Sequence, residues 1–377
     1  MNALSRRSAL LLGLGTPALL AACATPMPTT PPDPSGLADP EMLSLLQSLA
    51  SLGGQPIETL TPPEARRQPT LADAVKKRLT ELGRPTTPRP LPLVKDTMVP
   101  GPGGPLMARV YSPAQIPMMP GQLPLPLIVY YHGGGWVIAD IDVYDASCRA
   151  LAADTGAVVL AVHYRQGPET KFPGAHDDAY AAYVWAMRNA GELGADPSRI
   201  ALVGESAGGN LAIATALSAK ATGVTLPRAL GLVYPVAGTD LTTPSYQRFA
   251  NAKPLNKPMV EWFVRHYTNS PADLQDPRLN VYAGADLRGL PPTVIVNAQI
   301  DPLADDGLRL AQALQRANVP VARQEYAGVT HEFFGADAVL SKAGEAQRWL
   351  AGELRRVLLT PAPVEPQPAM RRRRPVR

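Results

Sequence analysis

Short, continuous apolar runs separated by helical stretches are the feature that most constrains the fold of this chain. Such runs are typical of parallel strands that are buried on both faces and joined by helical crossovers. We therefore predict a doubly wound α/β fold with a mostly parallel central sheet and helices on both faces. The predicted strands are residues 125–131, 157–164, 200–203, 230–236, 293–296 and a weaker, alternating one at 321–326.

Alanine- and leucine-rich segments between and after these runs are predicted helices, at residues 175–190, 207–221, 304–317 and 344–358. Two amphipathic helices are predicted ahead of the first strand, around residues 42–52 and 71–82, because apolar residues recur at steps of three or four. Thr61 and Glu64 have the spacing of a capping box with prolines between them. We therefore place the start of the second helix there and its end at Gly83.

Proline and positive charge are concentrated near the two ends of the chain. Of 377 residues, 42 are proline, and the formal net charge is +4. Arg6 and Arg7, together with an excess of four positive charges in residues 361–377, leave about −2 for everything between. Because the basicity does not belong to the folded body, no nucleic-acid partner is expected. The chain is 45% hydrophobic and 18% charged, which suits a large packed core.

The first 22 residues have the organisation of an export signal. Two arginines precede a short apolar run, and Leu20-Ala-Ala-Cys23 follows. The tetrapeptide resembles the lipobox of bacterial lipoproteins, which implies that Cys23 is acylated after cleavage. We therefore expect an exported protein, anchored by lipid to a membrane of the bacterial cell envelope and facing the periplasm. An ordinary secretory signal is the alternative, and general and twin-arginine export both stay open.

Four segments follow from these patterns. Residues 1–22 are the lipoprotein signal peptide, 23–40 a proline-rich tether, 41–360 a single folded domain, and 361–377 a disordered tail rich in proline and arginine. The tail could also contact anionic lipid or polysaccharide. Cys148, the other cysteine, is expected to serve packing, and no intrachain disulfide is expected once Cys23 is lipidated.

A G-x-S-x-G pattern joins a predicted strand to a predicted helix at residues 204–208. This is the pattern of a nucleophile elbow, in which glycines flank a serine because the tight turn leaves no room for side chains. Ser206 is therefore the candidate nucleophile. A strand-to-helix turn with an idle serine is the alternative.

A nucleophilic serine needs a histidine base and a carboxylate that orients it, and in this kind of fold the chain order is serine, acid, histidine. His331 follows the last predicted strand and is the candidate base, whereas His266 is expected to be structural on a helix face. Asp301 follows the strand at 293–296 and is the candidate acid. Asp305 and Asp306 are expected to begin the next helix, where the helix dipole favours them.

Backbone N–H donors must also stabilise the oxyanion that forms when serine attacks an acyl carbon. A triple glycine in His132-Gly-Gly-Gly-Trp136 follows the first predicted core strand. The expected donors are the amides of Gly133, Gly134 and Ala207. The spacing does not fit a phosphate-binding loop, and neither a metal nor an organic cofactor is expected.

Together these motifs resemble the hormone-sensitive-lipase branch of the α/β-hydrolase esterases, over residues 61–358. The shared motifs are the H-G-G-G at 132–135, G-E-S-A-G-G at 204–209, D-P-L at 301–303 and H-E-F at 331–333. The resemblance implies an α/β-hydrolase fold with a helical cap formed by about 41–84 and 244–276. Trp262 and Phe263 would either line the site or pack within the cap. Gln166-Gly167 and Thr170-Lys171 depart from the family pattern and are expected to alter the rim of the site.

The function implied is that of a serine hydrolase that cleaves carboxylic esters of short to medium acyl chains through an acyl-enzyme. Its partner would be a small-molecule ester. Alternatives are deacetylation of an envelope polysaccharide, a non-catalytic small-ligand receptor on the same fold, and peptidase activity. The sequence does not specify an oligomeric state.

Overall fold

The computed structural model describes residues 32–116 and 121–360. Within these residues the chain forms one eight-stranded sheet with the order β1-β2-β4-β3-β5-β6-β7-β8. The strands are β1 Leu93–Gly101, β2 Gly104–Ser112, β3 Leu125–Tyr131, β4 Val158–Val162, β5 Ala195–Glu205, β6 Ala229–Val233, β7 Thr293–Ile300 and β8 Val321–Thr330.

All six predicted strands are present, and β3 has the predicted bounds. From β4 through β3 to β8 every neighbouring pair is parallel, which confirms the mostly parallel sheet. β1 and β2 were not predicted; they form an antiparallel hairpin, and β2 pairs antiparallel with β4. Their apolar signal is weak because β1 lies at the edge, contains Pro100 and has Val99 as its one buried residue.

Helices cover both faces of the sheet. They are α1 Pro40–Ala50, α2 Pro62–Ala65, α3 Leu71–Glu81, α4 Asp145–Thr155, α5 Gly174–Asn189, α6 Ala207–Thr222, α7 Pro244–Arg248, α8 Lys257–Tyr267, α9 Val281–Gly284, α10 Ala304–Arg316 and α11 Ser341–Leu358. Short 3₁₀ turns lie at Ile57–Thr59, Ala190–Leu193, Pro271–Gln275 and Phe333–Gly335.

The two faces of β3 show why its sequence is continuously apolar. Leu127 and Val129 face the cluster that includes residues of α5, α6 and α10, while Ile128 and Tyr130 face the cluster that includes residues of α4 and α11. All four side chains are fully buried. Because side chains alternate across a strand, only a strand covered on both sides needs an apolar residue at every position.

The prediction that the second N-terminal helix begins at Thr61 is wrong. The Thr61–Glu64 capping box belongs to the separate four-residue helix α2, and α3 begins after its own capping box at Thr70 and Asp73. Pro69 lies between the two helices, and a residue that precedes proline is disfavoured in helical geometry. The end at Gly83 is confirmed: its φ is +65°, and its N–H donates to Thr80 O at 3.0 Å.

Residues 32–39, from the predicted tether, are attached to the body where the structure describes them. Asp39 caps α1, and its N–H donates to Gly328 O at 2.9 Å. The predicted signal peptide, Cys23 and the tail at 361–377 lie outside the described residues. No helix among the described residues combines the length and the apolar character needed to cross a bilayer.

Candidate active site

Ser206 lies at the turn between β5 and α6, at the carboxyl end of the sheet. Its backbone has a φ of +56°, which is rare for a residue with a side chain. The flanking glycines permit this turn, since a Cβ at Gly204 would lie 2.1 Å from Gly208 O and a Cβ at Gly208 would lie 2.0 Å from Tyr131 O. The sharp turn thus directs the serine side chain out of the sheet edge.

The structure brings together all three residues of the predicted triad. His331 Nε2 is 2.9 Å from Ser206 Oγ, and His331 Nδ1 is 2.7 Å from Asp301 Oδ2. The carboxylate accepts a hydrogen from Nδ1, which leaves Nε2 free to accept the hydrogen of the serine hydroxyl. The other oxygen of Asp301 accepts the N–H of Leu303 at 2.8 Å, so the carboxylate itself is fixed.

The surroundings of His331 tune its basicity. Burial alone would lower the pKa of this imidazole, but the charge and hydrogen bond of Asp301 outweigh it and raise the pKa above the usual value. The ring of Tyr234 lies against the imidazole, with centroids 4.4 Å apart. The hydroxyl of Tyr234 donates to Glu205, which also accepts from Tyr130 at 2.6 Å, and burial raises the pKa of Glu205.

The triple glycine forms a turn directly after β3. Gly134 O accepts the N–H groups of Val137 at 3.0 Å and Ile138 at 2.9 Å. Gly134 has a φ of +94°, and a Cβ there would lie 2.2 Å from Ile138 O. A side chain would therefore both strain and block this turn, which explains the glycine.

Two backbone N–H groups of this turn have no backbone hydrogen-bond partner within the described residues. Within the described residues, the N–H groups of Gly134 and Gly135 donate to no backbone carbonyl. Ala207 begins α6, so its N–H has no partner within the helix. Gly135 lines the same cavity as Ser206, whereas Gly133 lies against the hydroxyl of Tyr144. The third glycine of the motif was the available signal for Gly135, which the sequence prediction left out.

An apolar cavity opens onto Ser206. Its wall combines the glycine turn, the loop after β6 and the segment that contains α7 and α8. The side chains that line it are predominantly aliphatic or aromatic: Trp136, Val236, Leu241, Tyr246, Leu255, Val260, Phe263, Val264, Tyr267, Leu274, Leu279 and Leu303. A hydrocarbon chain would gain free energy by leaving water for such a cavity.

A model of the family described as the alpha/beta hydrolase fold matches residues 128–335. The chain belongs to this family. An ethyl acetate hydrolase of Pseudomonas putida is 37% identical to this α/β-hydrolase over 246 residues, which are 64% of this chain and 76% of that protein. The esterase LipI of Mycobacterium tuberculosis is 37% identical over 276 residues, or 73% of this chain and 85% of that protein.

Solved structures agree with the sequence relatives. An esterase from Pyrobaculum calidifontis is similar with a TM-score of 0.73 and 33% identity, over 83% of this chain and 98% of that one. Because its relatives in sequence and in structure are esterases, the α/β-hydrolase described here is a carboxylesterase, and its reaction is the hydrolysis of ester bonds.

Trp262 and Phe263 have different places in this α/β-hydrolase. Phe263 lines the cavity and its ring touches the glycine turn, since a Cβ at Gly135 would lie 2.2 Å from the ring. Trp262 is buried, is not among the lining residues, and its indole N–H donates to Leu60 O at 3.0 Å. Trp262 thus joins α8 to the segment around Leu60, which is far away in sequence.

Asp306 lies in the first turn of α10, as predicted, but it is also buried. One carboxyl oxygen accepts the N–H groups of Ala237 at 2.9 Å and Gly238 at 3.1 Å, in the loop that lines the cavity. Burial raises the pKa of Asp306 to about 7. An acidic residue at the start of a helix gave no sign of this second role, because its partners are about 70 positions away.

The remaining histidines of the α/β-hydrolase do not join the triad. His266 packs on Trp262, as expected for a structural residue, with ring centroids 4.3 Å apart. His176 is buried between Tyr267 and Asn210, and burial lowers its pKa to about 4. In residues 32–116 and 121–360 there is no group of three or more His, Cys, Asp or Glu arranged to hold a metal ion. Cys148 is buried with a free thiol, which agrees with the predicted packing role.

Proposed function

We propose that this carboxylesterase acts through an acyl-enzyme on Ser206. The serine Oγ attacks the ester carbonyl carbon while His331 Nε2 takes its proton, and the carbonyl π electrons move onto the oxygen. Collapse of this tetrahedral intermediate breaks the bond to the alcohol oxygen, which leaves with the proton from His331. Water then repeats the sequence on the acyl-serine, releases the acid and restores the serine.

Asp301 and the backbone amides complete this mechanism. Asp301 holds the imidazole in the tautomer that presents a free Nε2 and stabilises the imidazolium once it forms. The amides of Gly134, Gly135 and Ala207 support the oxyanion: the first two donate to no backbone carbonyl among the described residues, and Ala207 has no partner within its helix. Gly133, expected from the sequence to donate as well, stays a candidate donor, and a Cβ there would lie 2.2 Å from the hydroxyl of Tyr144.

The preferred acyl groups are short to medium in length. The cavity at Ser206 is apolar, which favours an alkyl chain, and Phe263 and Tyr246 limit its extent from the side of α7 and α8. Each methylene that enters such a cavity contributes about 0.8 kcal/mol until the chain meets the wall. Longer chains then have to displace packed side chains, which costs free energy.

The contact chain from Asp301 through His331 to Ser206, at the base of an apolar cavity, is the observation that carries this proposal. Purified protein should be assayed on the nitrophenyl esters of acetate, butyrate, octanoate and palmitate, alongside Ser206→Ala and His331→Ala. We expect the highest kcat/KM on the first two or three esters and loss of activity in both variants. Retained activity in Ser206→Ala would exclude the serine mechanism. Release of acetate from an acetylated polysaccharide, without hydrolysis of any nitrophenyl ester, would instead favour deacetylation.

We also propose that the mature protein is exported and anchored through a lipid on Cys23, in the bacterial envelope and facing the periplasm. The support is the sequence alone: the arginine pair, the short apolar run and the Leu20-Ala-Ala-Cys23 tetrapeptide. The mass of the mature N-terminus tests this proposal, with Cys23→Ser as the control. An unmodified terminus, or one that excludes Cys23, would contradict it.

A further inference from the structure

The glycine turn that carries the proposed oxyanion donors has an unusual backbone. Residues 134–136 and 139 all have positive φ, and two of them, Trp136 at +60° and Ala139 at +63°, are not glycine. Residues with side chains are disfavoured in this region, so such a turn persists only where neighbouring groups hold it.

The loop after β4 supplies those holding contacts from one side. Gln166 donates both hydrogens of its side-chain amide, to Ile138 O at 2.7 Å and to Ala139 O at 2.9 Å. The next residue, Gly167, donates its backbone N–H to Trp136 O at 2.8 Å. Three of the four carbonyls from Trp136 to Ala139 are thus fixed by two neighbouring residues of one loop.

The N-terminal helical segment fixes the remaining carbonyl. Arg66, just after α2, donates to Val137 O at 2.9 Å and to Gly167 O at 2.7 Å, and pairs with Glu169. Every carbonyl from Trp136 to Ala139 therefore accepts a hydrogen bond from outside the turn. A peptide plane joins the C=O of one residue to the N–H of the next, so the Gly135 N–H moves with Gly134 O. Gly134 O accepts the N–H groups of Val137 and Ile138, the residues whose own carbonyls are held from outside the turn.

We propose that Gln166 is a positioning residue for the oxyanion donors. Its amide holds the far end of the turn so that the N–H groups of Gly134 and Gly135 face Ser206 before substrate binds. Gln166 does not line the cavity, so it acts through the turn and not through contact with substrate. The inference rests on the proposed serine mechanism, in which preorganised donors stabilise the transition state more than the bound ester.

The test compares two variants that remove the donors but keep the length of the side chain, Gln166→Met and Gln166→Glu. Gln115→Met is the matched control, because the Gln115 amide also donates to a backbone carbonyl, Pro92 O at 2.7 Å, outside the site. For each full-length protein, kcat and KM on nitrophenyl butyrate, the midpoint of thermal unfolding, and inhibition by an alkyl trifluoromethyl ketone should be measured. Ser206 Oγ adds to the ketone carbon, its proton passes to His331, and the ketone oxygen becomes the oxyanion.

We expect kcat to fall about 10- to 100-fold in both Gln166 variants while KM changes less than about twofold. The inhibition constant of the ketone should rise by a similar factor, and Gln115→Met should match the wild type in both. A kcat and an inhibition constant within about twofold of the wild type in both folded variants would overturn the proposal, as would a loss confined to KM. If Gln166→Met unfolds at the assay temperature, Gln166→Glu decides by the same criteria. Loss of activity in Ser206→Ala together with unchanged Gln166 variants would reject the role of Gln166 and leave the serine mechanism in place.

Discussion

At the carboxyl edge of the sheet the backbone holds the candidate reacting groups in place, whereas over that edge side chains of residues 244–276 line the cavity. Ser206 and Gly134 have positive φ, and a Cβ at Gly134 or at either glycine that flanks Ser206 in the turn would collide with backbone atoms. In this segment Phe263 meets the cavity through its ring, and Trp262 donates one hydrogen bond to Leu60 O.

This difference separates chemistry from selectivity. A group held by strained backbone and buried hydrogen bonds tolerates almost no change in position, so substitutions there should lower the rate for every ester. A cavity wall of apolar side chains can be enlarged or reduced residue by residue, so substitutions there should change which ester reacts best. The predictions below test this division in order of decreasing effect.

Asp301→Asn should produce the largest loss. The amide would still fill the space but would favour the wrong tautomer of His331 and remove the buried charge, so we expect kcat to fall about 10⁴-fold on all esters. The pH profile gives a second readout. In the wild type Asp301 raises the pKa of His331, and only neutral imidazole can accept the serine proton, so kcat/KM should rise with pH through a value above the usual one.

Without Asp301 the pKa of His331 loses its strongest raising influence, while burial, which lowers the pKa of an imidazole, stays in place beside the charges of Glu332 and Glu205. The acid limb of kcat/KM in Asp301→Asn should therefore move to lower pH than in the wild type. A residual activity with an unchanged acid limb would contradict the assignment of this limb to His331.

Gly134→Ala should have the next largest effect. The new Cβ would lie 2.2 Å from Ile138 O at a φ of +94°, so the turn must move and the proposed oxyanion donors with it. We expect kcat to fall about 100-fold or more, with a smaller change in KM. Gly284→Ala in α9 is the matched control, since its nearest neighbour would be 3.6 Å from the new Cβ. Equal kinetics for the two variants would contradict a backbone-held site.

Phe263→Ala should change selectivity more than rate. Removing the ring lengthens the cavity, so the ratio of kcat/KM for octanoate to that for butyrate should rise about tenfold. Trp262→Phe is the control: it loses the hydrogen bond to Leu60 and should lower the unfolding midpoint without changing this ratio. If the ratio of kcat/KM for octanoate to butyrate changes in Trp262→Phe and not in Phe263→Ala, the roles given to these two side chains are wrong.

Asp306→Asn should have the smallest effect, on stability alone. Burial raises the pKa of this carboxyl to about 7 in the folded protein, above its ordinary value of 3.8, so the folded state binds the proton more tightly. The resulting stability is present below about pH 4 and is lost as the pH rises through about 7. The variant should lack this loss, so its unfolding midpoint relative to the wild type should be higher at pH 8 than at pH 5. An equal difference at both pH values would contradict the raised pKa.

The sequence was sufficient for the features that depend on local patterns. Parallel strands buried on both faces need continuous apolar runs, so β3 to β7 were predictable, and β8 was predictable from a weaker, alternating pattern. The edge hairpin of β1 and β2 had no such signal. Ser206 was predictable because the strand-turn-helix pattern around it is local in the sequence. His331 was predictable because the order of serine, acid and histidine along the chain is fixed in this fold. Their approach to 2.9 Å is what the structure adds.

Features that depend on contacts between distant segments were not predictable. Arg66 reaches Val137 across 71 positions, and Asp306 reaches Gly238 across 68. In the sequence, Arg66 looks like an ordinary surface arginine and Asp306 like an ordinary aspartate at the start of a helix. Only the folded structure shows the partners of each. Gln166 stood out in the sequence only as a departure from a family motif, and the structure gives it two backbone partners. Long-range polar contacts of this kind leave no periodicity to read.

The acyl-enzyme itself is the most direct test of the central claim. The protein should be mixed with excess nitrophenyl acetate, quenched with acid within one turnover, and digested for peptide mass mapping, with Ser206→Ala treated in parallel. We expect one acetyl group per chain, on the peptide that contains Ser206, and none in the variant. An acetyl group on another residue at the same stoichiometry, or hydrolysis by the variant at the wild-type rate, would contradict catalysis by Ser206.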